Sequence, residues 1–99
     1  MRTIKKTIKE TITVDKIIEL KIPNIGDCFQ VTLTDGPWKK DDKFMVAYYD
    51  SNCEIISFTY IDYDNMGRDS MSIEMFNNLK LKPISLEYFN SCFFARSGL

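Results

Sequence analysis

Carboxylates interleaved with aromatic rings form the part of this chain best suited to chemistry. Residues 44–78 hold Asp50, Glu54, Asp62, Asp64, Asp69 and Glu74 against a single cation, Arg68. The same stretch carries Phe44, Tyr48, Tyr49, Phe58, Tyr60, Tyr63 and Phe76. Aromatic side chains supply rigid contact area, and carboxylates steer and orient a cationic partner. The pattern is that of a surface that docks on a basic macromolecule. Asp62 and Asp64 also share one face of an extended segment, as a general acid and base would, although an ordinary solvated strand edge places two carboxylates the same way.

Other chemistries find less support. Histidine is absent, which removes the commonest general base and the usual partner of a serine or cysteine nucleophile. Cys28, Cys53 and Cys92 lie far apart, form no C-x-x-C pair and have no adjacent Lys or Arg to stabilise a thiolate. They read as small buried hydrophobes in a reducing compartment. No phosphate-binding, dinucleotide-binding or nucleophile-elbow motif occurs. A non-catalytic protein with no cofactor is expected. Asp62, Asp64 and Gly67 fit the start of a calcium-binding loop, but Met66 replaces an oxygen ligand and Ile73 stands where the closing glutamate belongs. No metal is expected there.

Nucleic-acid binding rests on Lys5 and Lys9 along the first strand and on Trp38 beside Lys39 and Lys40, where a ring flanked by lysines could stack a base. Asp41 and Asp42 cancel most of that field, strand-edge lysines guard against aggregation, and the net charge is −1. Residues 1–22 nevertheless lean basic, with six Lys or Arg against three Asp or Glu.

The elements that must position these residues follow from periodicity. From Ile4 to Ile22 the even positions are rich in Ile, Val and Leu, and the odd ones in Thr, Lys and Glu, which is the period of a strand with one dry face. Fully extended, residues 4–22 would span roughly 60 Å, far more than a small domain accommodates. The segment must bend, turn back near Asp15 and Lys16, or project. With no Gly or Asn to make a tight turn, a bent strand or two strands offset by a bulge is expected. A loop follows at Pro23–Asp27, a strand at Cys28–Leu33, and a second loop from Asp35 to Lys43. Residues 44–49 and 53–63 then form a hairpin about Asp50, Ser51 and Asn52.

Residues 64–67 break the pattern, and Ser70 or Ser72 can cap a short helix through Met75, Phe76 and Leu79. Leu79–Lys82 reads as a strand stopped by Pro83. Ser85 is placed as the N-cap of a terminal helix, with Glu87 in its first turn, a Leu86, Phe89 and Phe93 stripe, Arg96 in its last turn and Gly98 beyond. The expected fold is α+β: a mostly antiparallel sheet of five or six strands with one C-terminal helix packed on it. A single domain covers residues 1–99, with residues 1–14 as a candidate β arm. At 44% hydrophobic and 27% charged, the composition is that of a folded domain. No apolar run approaches the roughly 20 residues a membrane helix needs, and lysines occupy the place of a signal peptide's apolar core. A cytoplasmic location is expected.

Within the central hairpin, Glu54, Ile56, Phe58, Tyr60, Asp62 and Asp64 share one face, and Cys53, Ile55, Ser57, Thr59, Ile61 and Tyr63 the other. Burying unpaired carboxylates costs several kcal/mol each, which favours turning Ile55 and Ile61 toward the helix and leaving Phe58 and Tyr60 in water. The alternative keeps Ile56 and Phe58 in the core, with the acids at the strand ends. On the first assignment the partner-binding residues are Tyr48, Asp50, Glu54, Phe58, Tyr60, Asp62, Tyr63 and Asp64.

The opening T-I-K-x-T-I-x-x-T-I-T-V with the I-x-L-x-I-P that follows, and the closing K-P-I-S-x-x-x-F-N, resemble small uncharacterised proteins encoded by gut bacteria and their phages. The resemblance covers less than half of the chain and assigns no site residue. It implies a phage or mobile-element origin. With it, the leading expectation is a protein-binding domain that blocks a larger partner with a basic surface, such as a host defence nuclease or another nucleic-acid-binding effector, in the manner of an anti-CRISPR. The alternatives are a minor virion component that assembles or oligomerises through the N-terminal strand, and a small nucleic-acid-binding protein. Neither a membrane nor a small-molecule substrate is implied.

Overall fold

The alternating N-terminal segment forms two strands, not one bent strand. In the computed structural model, which describes residues 2–9, 15–62 and 65–97, β1 (Arg2–Lys9) pairs antiparallel with β2 (Asp15–Ile22). Residues 10–14, between the two strands, lie outside the described set, as does any expectation that falls on them. Register places Ile4 opposite Leu20 and Lys6 opposite Ile18, so the even positions of both strands share a face. Leu20 and Ile22 are buried and Ile4 and Ile18 are partly buried, whereas the odd face, including Ile17 at 69% exposure, is wet. The expected division into a dry even face and a wet odd face therefore holds.

The main sheet has the order β6-β5-β4-β3-β7, built from β3 (Cys28–Val31), β4 (Lys43–Asp50), β5 (Ile55–Ile61), β6 (Met66–Ser72) and β7 (Leu81–Ile84), with every pairing antiparallel. A register shift between Val46 and Tyr48 marks a bulge that reverses the side-chain parity of β4. Two helices complete the α+β fold: α1 (Ile73–Asn78) and α2 (Leu86–Ser97). Ser72 caps α1 by accepting from the Met75 N–H, and Ser85 accepts from the Tyr88 N–H at the start of α2.

Both faces of the sheet are covered, and this decides which side chains are buried. On the front, Ile73 and Phe76 of α1 and Leu79 at its C-cap join Leu20 and Ile22 of the hairpin over Phe29, Phe44, Val46, Ile56, Phe58 and Met71. The rings of Phe29, Phe44, Phe58 and Phe76 lie 5.2–6.4 Å from their neighbours in tilted or edge-on pairs. Each such pair adds roughly 0.5–1.5 kcal/mol beyond the apolar area it buries. On the back, α2 lays Phe89 against Cys28 and Ile61, with Met45, Ile84, Cys92 and Phe93 around them.

Four expectations change. Residues 66–72 form an edge strand that begins inside the break expected at residues 64–67 and ends on the Ser72 cap. Pro83 lies within β7, where an edge position lets it go without a ladder donor. Leu86 is exposed, so the apolar stripe of α2 narrows to Phe89, Cys92 and Phe93. Cys53 is exposed in the β4–β5 turn, unlike buried Cys28.

Candidate functional site: an aromatic cleft with an acidic rim

A tight turn builds one wall of the site. Gly36 at φ 58° and Pro37 occupy its two central positions, while Asp35 and Trp38 exchange backbone hydrogen bonds of 2.7 and 3.0 Å across it. Glycine at the first central position suits the left-handed backbone of such a turn. The Trp38 ring is thereby set against Phe44 and Phe58, at 5.6 and 5.3 Å between centroids. Tyr60 continues the same face of β5, edge-on to Phe58 at 6.3 Å. Gly67 of β6 lies beneath the Tyr60 ring. A Cβ there would sit 3.2 Å from the Tyr60 hydroxyl, so a side chain would push the ring aside.

Trp38, Phe58 and Tyr60 line a cleft of about 390 Å³ together with Met75 of α1 and residues 69–72 of β6. That volume falls within the usual range of ligand sites. Three carboxylates reach its lining: Asp42, Asp62 and Asp69. Asp42 is buried and accepts from the Lys39 N–H at 2.9 Å. Burial pushes its carboxyl up from the ordinary value; the Lys39 hydrogen bond opposes the shift, and the charge of Asp62 adds to it. Asp62 is half-buried and its Oδ1 accepts from the Asn65 N–H at 2.5 Å, closing the β5–β6 turn. Asp69 is exposed, with Oδ1 accepting from the Ser70 N–H. Among the described residues no Lys or Arg stands in the lining, although the charges of Lys39 and Lys43 act on Asp42 from outside it.

The residues expected to form one docking strip are distributed over several surfaces. Phe58, expected in water, is 2% exposed and belongs to the core. Burying this face of the hairpin does not bury its acids. Glu54 and Asp62 instead flank the buried Ile56 and Phe58 from the strand ends, where water or a cation reaches them. Glu54 pairs with Lys6 of β1 at 2.8 Å, and Lys6 also pairs with Glu74 of α1 at 2.6 Å. Those two hydrogen bonds, Glu54 first, hold the Lys6 ammonium well above its usual range.

Tyr48 points to the back of the sheet, beside Ser57 in the register and 57% exposed, because the bulge reverses its parity. Asp50 caps the β4–β5 turn by accepting from the N–H groups of Asn52 and Cys53. Ile55 is on the surface, while Ile61 packs beneath α2 as expected. Tyr63 and Asp64 lie outside the described residues. Of the anticipated set, then, Phe58, Tyr60 and Asp62 come together, and Trp38, Asp42 and Asp69 join them. Trp38 drew attention only as a ring beside lysines. The Gly36-Pro37 turn that aims it was the available signal for its true place.

Among the described residues no three carboxylate, thiol or imidazole groups converge as metal ligands, and no helix is long and apolar enough to cross a membrane. No protein-family model, curated protein or solved structure matches the chain.

Proposed function

We propose that this chain is a non-catalytic protein-binding domain that docks on a basic macromolecular partner through the cleft between Trp38 and Tyr60. A Lys or Arg side chain of the partner enters over the aromatic floor and meets Asp62 and Asp69 at the rim. The observation that carries this reading is a cleft lined, among the described residues, by three rings and three carboxylates and by no Lys or Arg, with the charges of Lys39 and Lys43 acting on Asp42 from outside it. A cation over an aromatic face gains roughly 0.5–2 kcal/mol, and desolvated carboxylates discriminate against neutral or acidic side chains. On the resemblance of its ends to phage-encoded proteins, the partner is a host nucleic-acid-binding effector, such as a defence nuclease, which the domain inhibits in the host cytoplasm.

The test is capture from host lysate with wild type and with a Tyr60→Ala/Asp69→Lys double variant. Wild type retains a partner that salt elutes, and the folded variant does not. Equal capture by both would remove the cleft from the account.

A second reading is favoured by the hairpin, whose odd face is exposed on both strands. It makes the chain a structural accessory that assembles through this surface. Ile17→Lys would then abolish assembly and leave partner capture intact.

A further inference from the structure

The cleft opens beside the one long free strand edge of the main sheet. β6 ends the sheet at Met66–Ser72 and, among the described residues, pairs with β5 alone. Its outer row of backbone N–H and C=O groups therefore faces away from every other strand, with the Ser70 N–H held by the neighbouring Asp69 Oδ1, which an added strand would displace. The opposite edge, β7, is four residues long and contains Pro83, which lacks a donor. A short edge bearing proline is a blunted edge, whereas a seven-residue edge without proline is one on which another chain can pair. Residues 69–72 of β6 also line the cleft, so an added strand would lie beside it.

Resting on the reading of the cleft as a site for basic side chains, we propose that the partner contributes an extended segment that adds to β6 as a further strand, with basic residues on its cleft-facing positions. Directly opposed residues on neighbouring strands bring their Cβ atoms within about 4.5–5.5 Å, so the side chain opposite Asp69 lies at the rim. The seven residues of β6 match a partner segment of about the same length, roughly 23 Å at 3.3 Å per residue. Strand addition takes affinity from backbone hydrogen bonds and specificity from alternate side chains.

Register sharpens the specificity. Asp69 is opposite Phe58, whose side chain lies on the cleft face, while Arg68 is opposite Thr59, which lines the back of the sheet with Met45 and Arg68 itself. A cation facing Asp69 is attracted, and a cation facing Arg68 is repelled. The partner segment thus alternates basic residues on one face with neutral or acidic residues on the other.

Seven-residue synthetic peptides test this directly, read by Trp38 fluorescence and by amide exchange of residues 66–72. The first peptide alternates arginine with threonine. Two more carry N-methyl groups on one or the other alternate set of its amides, and a fourth has arginine at every position. The alternating peptide binds, slows exchange at alternate β6 amides, and binds more tightly than the all-arginine one. One methylated peptide loses about tenfold or more, as expected for two or more missing backbone hydrogen bonds, and the other binds as the parent does. If both methylated peptides change Trp38 fluorescence as the parent does and no β6 amide is protected, strand addition is wrong while the cleft reading stands. If no peptide perturbs Trp38, both fall.

Discussion

Phe58 and Tyr48 differ little in hydropathy pattern yet have opposite roles. Phe58 contacts Phe44, Trp38 and Tyr60 inside the core, so Phe58→Ala leaves a cavity and costs about 3–5 kcal/mol. Tyr48→Ala removes a ring from open solvent and changes stability by about 0.5 kcal/mol or less. Urea unfolding of the two variants measures both values. Asp42 makes a second case. Its folded-state pKa is raised above the ordinary value of 3.8, so the folded chain holds that proton more tightly than the unfolded chain does. The stability this contributes is complete below the unfolded value and is lost as pH rises through the folded one. Asp42→Asn keeps an acceptor for the Lys39 N–H and carries no charge. The variant is therefore expected to be more stable than wild type at neutral pH, with the difference closing as the solution is acidified below pH 3.8; thermal unfolding across pH measures it. Such assignments are only partly legible in a sequence. Alternation states which side chains share a face, but not how many faces are covered, and a sheet packed on both sides buries Phe58 and Ile61 alike.

The hairpin of β1 and β2 is fastened to the body at its base. Leu20 and Ile22 enter the front core, Asn77 of α1 exchanges hydrogen bonds with the Lys21 backbone, and Lys6 bridges Glu54 and Glu74. Residues 2–9 of the expected arm thus meet the body through Ile4 and Lys6. Removing residues 2–9 unpairs β2 and strips Ile4 from the core, so the truncated chain is expected to unfold at clearly lower urea than wild type. Leu20→Ala alone costs about 2–5 kcal/mol, and Lys6→Gln costs less than that because its ion pairs are exposed to solvent and screened by salt. Local signals made some elements readable in advance. Ser72 and Ser85 each sit immediately before the helix they cap, and capping is decided within four residues. β6 was not readable, because Gly67-Arg68-Asp69-Ser70 holds no strong β-former and its pairing with β5 is a tertiary fact. Pro83 misled for the related reason that an edge is not visible until the strand order is known.

The molecule is longer than a compact domain of its size. Its radius of gyration is 15.0 Å and its longest dimension 56 Å, against about 13 Å for the radius of a 100-residue globule. Charge follows shape: residues 1–22 carry three more basic than acidic residues, and residues 23–99 carry four more acidic than basic, which sum to the net −1. A basic partner of the kind proposed would be steered toward the body and away from the hairpin, and its association would slow as salt screens that field. The most direct measurement is an NMR titration with N-acetyl-arginine amide, following the indole N–H of Trp38, the sole tryptophan. The account predicts shifts confined to Trp38, Tyr60 and residues 69–72, weakened by salt and lost in Asp62→Asn/Asp69→Asn. Shifts that survive in that variant, or that fall on the hairpin or the α2 side of the sheet, would contradict it.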